Sequence, residues 1–89
     1  MQVRASHILV ETEQQAKDLQ GQIVAGGNFS KLAEQFSKCP SGRNGGDLGM
    51  FGRGQMVPEF EIAAFNNPIG KVVGPVKTQF GYHLVVRTA

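Results

Sequence analysis

Three side chains in this 89-residue chain carry the chemistry for catalysis: His7, His83 and Cys39. A single histidine on an apolar strand is more often a satisfied core residue than a catalyst. Here one falls near the start of the first strand-like run and the other inside the last. Neighbouring strands would let one ring nitrogen donate to the other, giving a neutral pair whose tautomers are set by the shared bond. Cys39 beside an imidazole could act as a nucleophile, and it could equally be a small buried hydrophobe. A thiol hydrolase would also need a third orienting residue and an oxyanion-binding element, and neither can be read around Cys39. These three residues are the whole Cys and His inventory, so a four-ligand zinc site of that kind is excluded and neither metal nor cofactor is expected.

Between the histidines lies Cys39-Pro40-Ser41-Gly42-Arg43-Asn44-Gly45-Gly46-Asp47-Leu48-Gly49, too rich in glycine for anything but a loop and a tight turn. Its glycines lack the spacing of a phosphate-binding loop, and no strand-then-helix follows in the required order. An apolar cluster borders it: Leu48, Met50, Phe51, Met56, Phe60 and Phe80. Met56 and Phe60 directly follow a Gly-Arg-Gly-Gln turn, which puts them at a surface pocket able to hold a proline ring.

Positioning these groups requires a sheet with helices against it. Residues 3–10 alternate as a strand, with Val3, Ala5, His7 and Leu9 on one face. Thr12 and Gln15 form a capping-box pattern ahead of a helix bearing Ala16, Leu19, Ile23 and Val24, which Gly26-Gly27 stops. Asn28 caps a second helix with Phe29, Leu32, Ala33 and Phe36 at helical spacing. A short strand over Leu48–Gly52 leads to a third helix opened by Pro58, and Asn67-Pro68 ends it. Two further strands follow, Val72–Thr78 with an edge or bulge at Gly74-Pro75, and Tyr82–Arg87. The order is β-α-α-β-α-β-β, an α+β fold with one mixed or antiparallel sheet surrounded by helices.

Length and composition bound the rest. Residues 1–89 fit a single domain with one core, and the 40% hydrophobic fraction with six Phe suffices to build it. No apolar run approaches the roughly 20 residues of a membrane span, and no signal peptide is read at the start. The lone thiol suits a reducing compartment, so a cytoplasmic location is expected. The net charge of +2 arises from Lys38, Arg43, Arg53, Lys71, Lys77 and Arg87 outnumbering Asp47, Glu59 and Glu61 after residue 37. These charges are scattered singly and read as solvated surface, so neither a nucleic acid nor a membrane is expected as partner.

Four motifs, in order and at matching spacing over nearly the whole chain, resemble the parvulin family of peptidyl-prolyl cis/trans isomerases. They are Ser6-His7-Ile8-Leu9-Val10, Gly45-Gly46-Asp47-Leu48-Gly49, Gly54-Gln55-Met56-Val57-Pro58-Glu59-Phe60 and Thr78-Gln79-Phe80-Gly81-Tyr82-His83. The resemblance implies a parvulin-like (FKBP-like) four-stranded sheet wrapped by helices. It implies that His7 and His83 pair at the floor of the site and that Cys39 faces the substrate amide. It sets Leu48, Met56 and Phe60 around the proline ring, Thr78 hydrogen-bonded toward the histidines, and Phe80 closing the pocket. The expected activity is rotation of X-Pro bonds in flexible or unfolded polypeptides, without covalent chemistry or cofactor, by a monomer that assists folding.

The branch of the family directed to phosphoserine-proline or phosphothreonine-proline carries basic residues in the loop after its first strand. This chain has Glu11-Thr12-Glu13-Gln14-Gln15 there, so unphosphorylated substrates are expected, as in the small free-standing bacterial members. Lys38, where some members have an acid, is a lesser departure. A binding module using the same cleft without turnover is the alternative from another class.

Overall fold

The computed structural model describes all residues, Met1–Ala89. Its elements are β1 (Gln2–Val10), α1 (Glu13–Val24), α2 (Phe29–Phe36), a 3-10 helix (Pro40–Asn44), β2 (Asp47–Gly52), α3 (Pro58–Phe65), β3 (Val72–Thr78) and β4 (Gly81–Arg87). The order of strands and α-helices is the expected one. The 3-10 helix is an addition, in a stretch whose composition reads as loop.

Local chemistry sets the helix starts. Thr12 Oγ1 accepts the Gln15 N–H at 3.1 Å and Asn28 Oδ1 accepts the Lys31 N–H at 3.0 Å, each satisfying an otherwise orphaned donor and contributing about 1 kcal/mol. Pro58 begins α3, where its missing N–H costs nothing. Beyond the far end of α3, Asn67 Nδ2 donates to the Ala63 carbonyl at 2.8 Å.

The four strands form one sheet in the order β2-β1-β4-β3, antiparallel throughout. β1 and β4 are therefore central. Pairing His7 with Val85 and Ile8 with Leu84 fixes which residues share a face. On one face Ile8, Val10 and Leu84 pack with Ala16 and Leu19 of α1 and Leu32 and Ala33 of α2. On the other, Val3, Ala5 and Val85 pack with Phe51 and with Phe60, Ala63, Ala64 and Phe65 of α3. The result is three layers, with α1 and α2 on one side of the sheet and α3 on the other. Ile8, Leu84, Val3, Val10 and Val85 are fully buried, each contributing about 1.5–3 kcal/mol of transfer free energy.

Several expected core residues lie outside. Val24 is 82% exposed and Phe36 41%, because each ends its helix at the margin of the buried stripe. Met50 is 54% exposed while Phe51 is buried. The pairing of β1 with β2 slips between Arg4 opposite Met50 and Ser6 opposite Asp47, where Gly49 takes a φ of 71°. This bulge breaks the alternation, so Leu48 and Phe51 both pack against the α3-side cluster while Met50 turns to solvent. A second slip, between Val73 and Val76, falls at the expected Gly74-Pro75 irregularity on the edge strand β3.

Candidate active site

The α3 face of the two central strands carries both histidines. His7 lies opposite Val85 and His83 opposite Leu9, so the imidazoles are diagonal neighbours on one face. Their Nδ1 atoms are 2.9 Å apart and the rings stack at a centroid distance of 5.1 Å and an angle of 17°. Both side chains are buried. The backbone at His7 is gripped by the loop before β2: its N–H donates to the Gly46 carbonyl at 2.9 Å. Gly46 has a φ of 85°, and a Cβ there would come within 2.3 Å of the His7 carbonyl oxygen, so the approach requires glycine.

The hydrogen bonding continues outward from both rings. His83 Nε2 lies 2.7 Å from Thr78 Oγ1, which also accepts the Phe80 N–H at 3.2 Å across the tight β3–β4 turn. His7 Nε2 lies 3.2 Å from Ser41 Oγ, on the 3-10 helix. Ser41, His7, His83 and Thr78 thus form one chain, and no buried side-chain nitrogen or oxygen lacks a partner. Two proton arrangements satisfy it. Thr78 donates to His83, His83 to His7 and His7 to Ser41, or every step runs in reverse.

Burial pushes the His7 pKa down to about 4, with the nearby His83 adding to the shift, and burial lowers His83 as well. The pair is neutral at pH 7. Charging both rings would also set two N–H groups against each other at the shared contact. Phe60 meets both imidazoles edge-to-face, at 5.4 and 5.5 Å between centroids, which fixes them from the α3 side.

A pocket of about 330 Å³ opens beside this chain. His7 and His83 contribute from the sheet, Cys39 and Leu48 from the segments flanking the glycine loop, and Gln55, Met56 and Val57 from the β2–α3 turn. Phe60 on α3 and Phe80 in the β3–β4 turn complete it. Seven residues singled out in the sequence therefore line one pocket, and Thr78 sits behind it as His83's partner. Met50, turned to solvent at the bulge, and Phe51, buried in the α3-side core, do not line it. Cys39 is partly buried and leads into the 3-10 helix, but His7 Nε2 is engaged by Ser41 and no hydrogen bond joins the thiol to either imidazole. That is not the coupling a thiol hydrolase requires.

Sequence reasoning missed Ser41, Gln55 and Val57. Gln55 and Val57 flank Met56 within a motif already singled out, whereas Ser41 carries no signal beyond lying two residues after Cys39. Lys38, immediately before the thiol in sequence, makes an ion pair with Glu11 just after β1. Glu13 and Lys17 pair at 3.6 Å along α1.

Comparison with known proteins identifies the family of the whole chain. Residues 5–89 match the rotamase family, described as a PPIC-type PPIase domain. The chain is 52% identical over 84 residues to the foldase protein PrsA of Geobacillus kaustophilus, covering 93% of this chain and 30% of that relative. Among solved structures, the peptidylprolyl isomerase PrsA of Bacillus anthracis superimposes with a TM-score of 0.97 at 43% identity, covering 99% of this chain and 41% of the other. NmPin, the parvulin of Nitrosopumilus maritimus, superimposes at 0.89 with 38% identity, covering 99% and 96% respectively. The chain thus spans about a third of the PrsA relatives and nearly all of NmPin.

Proposed function

This chain belongs to the family of PPIC-type peptidyl-prolyl cis/trans isomerase domains, and we propose that it rotates X-Pro bonds of unphosphorylated polypeptides by a non-covalent mechanism in the His7–His83–Cys39 pocket. The isomerase activity follows from family membership. The choice of substrate and the roles of individual residues are our reading.

Rotation must cross a barrier of about 18–20 kcal/mol that comes from amide resonance. Cis and trans X-Pro forms differ by only about 0.5–1 kcal/mol, so the task is to change a rate and leave the equilibrium alone. Lowering the barrier by ~5–7 kcal/mol speeds rotation about 10⁴–10⁵-fold. Leu48, Met56 and Phe60 hold the proline ring, with Phe80 closing over it. The preceding carbonyl turns in front of Cys39. The pocket removes water from the amide, which favours the twisted and less dipolar form. Cys39 and the neutral histidines set the field around the turning oxygen and hold the pocket's shape for the twisted state. The observation that carries this reading is the fully satisfied Ser41–His7–His83–Thr78 chain, which leaves no imidazole lone pair to activate the thiol.

The preference for unphosphorylated substrates is supported by Glu11 and Glu13 in the loop after β1, where carboxylates stand in place of the basic residues that would receive a phosphate. Lys38, the nearest cation in sequence to Cys39, is already paired with Glu11. Assistance to folding, proline-containing segments of client proteins as partners, a monomeric state and the cytoplasmic setting expected from the lone thiol complete the proposed picture. Sedimentation and thiol trapping in intact cells test the last two.

The experiment that tests substrate choice is the cis-to-trans rate of Ala-Xaa-Pro-Phe peptides with leucine, glutamate or phosphoserine at Xaa. Strong acceleration with leucine and little with phosphoserine is expected; acceleration with phosphoserine alone overturns it. The same assay on Cys39→Ser and Cys39→Asp tests the chemistry. Substantial activity in either supports a non-covalent role, and complete loss in both with the fold intact counts for covalent catalysis.

A further inference from the structure

The β2–α3 turn supplies Gln55, Met56 and Val57 to the pocket, and side chains pin it at both ends. Glu61, in the first turn of α3, reaches back so that its Oε1 accepts the Gly54 N–H at 2.5 Å, while its Oε2 lies 3.5 Å from Arg53 Nη1. The Arg53 guanidinium in turn stands 4.5 Å over the Phe65 ring. Gln55 Oε1 accepts the Gly52 N–H at 2.6 Å. A backbone N–H can only donate, so the atom facing Gly52 must be the amide oxygen, and this fixes which way round the Gln55 amide sits.

That orientation has a chemical result. The Gln55 nitrogen, with two N–H donors, is committed to no protein acceptor, and Gln55 lies exposed at the rim of the pocket. The other side-chain N–H donors lining the pocket are the histidine nitrogens, which are occupied by each other, by Thr78 and by Ser41. The remaining lining side chains are a thiol and apolar groups. A bound proline residue has no N–H, but it presents carbonyls on both sides of its ring. Those acceptors lose water on entering the pocket and need a donor in exchange.

Building on the pocket as the proline site, we propose that Gln55 is a substrate-binding residue whose Nε2 donates to the proline's own carbonyl. This carbonyl stays in place while the preceding one turns. A donor on the stationary carbonyl binds ground state and transition state alike, so its loss raises KM and leaves kcat. Glu61 is a positioning residue for the same contact, because it holds the turn that aims Gln55.

Two substitutions of similar length separate binding from shape. Gln55→Glu keeps an acceptor for the Gly52 N–H and removes the donors at neutral pH, whereas Gln55→Met removes both. With an uncharged Ala-Leu-Pro-Phe peptide, both variants are expected to raise KM about three- to tenfold, the range for one neutral hydrogen bond, with kcat within about twofold of the parent. A Gln55→Glu variant with parental KM overturns the assignment and leaves Gln55 a purely structural part of the turn. A loss confined to kcat overturns it too, by moving the contact to the turning carbonyl. Absence of acceleration by the parent protein itself would instead refute the peptide-substrate reading on which this contact rests.

Discussion

On the α1 and α2 side of the sheet, Ile8, Val10 and Leu84 meet Ala16, Leu19, Leu32 and Ala33, and every buried member of that cluster is aliphatic. On the α3 side the same two strands present Val3, Ala5 and Val85, then interrupt the apolar surface with His7 and His83, beneath Phe60. Strand alternation makes this division of labour possible: adjacent residues such as His7 and Ile8 serve opposite layers. The aliphatic layer carries stability with nothing to desolvate except carbon. The aromatic layer must bury two imidazoles, which is tolerable only because each ring nitrogen finds a partner.

The contrast is sharpest for large-to-small changes. Leu84→Ala, on the aliphatic side, is expected to cost about 2–5 kcal/mol of unfolding free energy. Its kcat/KM per folded molecule should stay near the parent value. Denaturant melts paired with active-site titration measure both, and a selective loss of turnover would erase the distinction between the layers. Thr78→Val attacks the polar chain instead. It strands His83 Nε2 and the Phe80 N–H, an expected loss of about 1–3 kcal/mol, and here turnover should fall with stability.

Acid should separate the faces through a graded effect. Both histidine pKa values are lowered by folding, so the unfolded chain binds more protons than the native one in mildly acidic solution. Stability is therefore retained above pH 6.5 and falls as pH drops toward about 4, the His7 value, by at most about 1.4 kcal/mol per pH unit for each histidine. A His7→Leu variant should show a shallower decline between those limits in pH-dependent urea melts. An unchanged slope would contradict the buried neutral pair. The smallest effect belongs to the rim. Glu11→Gln breaks the ion pair with Lys38, where both side chains are half exposed or more, and is expected to cost under about 1 kcal/mol. Its value lies in the phosphoserine peptide rate, which should rise once a carboxylate is removed and Lys38 is released.

The same contrast explains what was legible in the sequence. Regular, local signals could be read: alternation in Val3-Arg4-Ala5-Ser6-His7, the caps at Thr12 and Asn28, and Pro58 opening α3. The strand order β2-β1-β4-β3 could not, because pairing is decided by contacts distant in sequence. Pro40–Asn44 reads as loop since its proline, serine and glycine are turn formers, yet the segment closes as a 3-10 helix and delivers Ser41 to His7. Met50 reads as part of the apolar cluster because nothing in Asp47-Leu48-Gly49-Met50 marks Gly49 as the site of a bulge. In the pocket, scarce residue types stood out, as with His7, His83 and Cys39, and Met56 did so beside its glycine turn. Ser41 and Gln55 did not, because their roles come from partners supplied only by the folded chain.

The most direct test of the account is kcat/KM of Met56→Ala with a leucine-proline peptide, measured beside its melting temperature. Met56 lies on the pocket wall and only partly inside the α3-side cluster. A drop in kcat/KM of about tenfold or more, with the fold retained, is the expected result, since about 1.4 kcal/mol of lost proline contact accounts for each factor of ten. A parental rate from the folded variant would contradict the placing of proline rotation in this pocket.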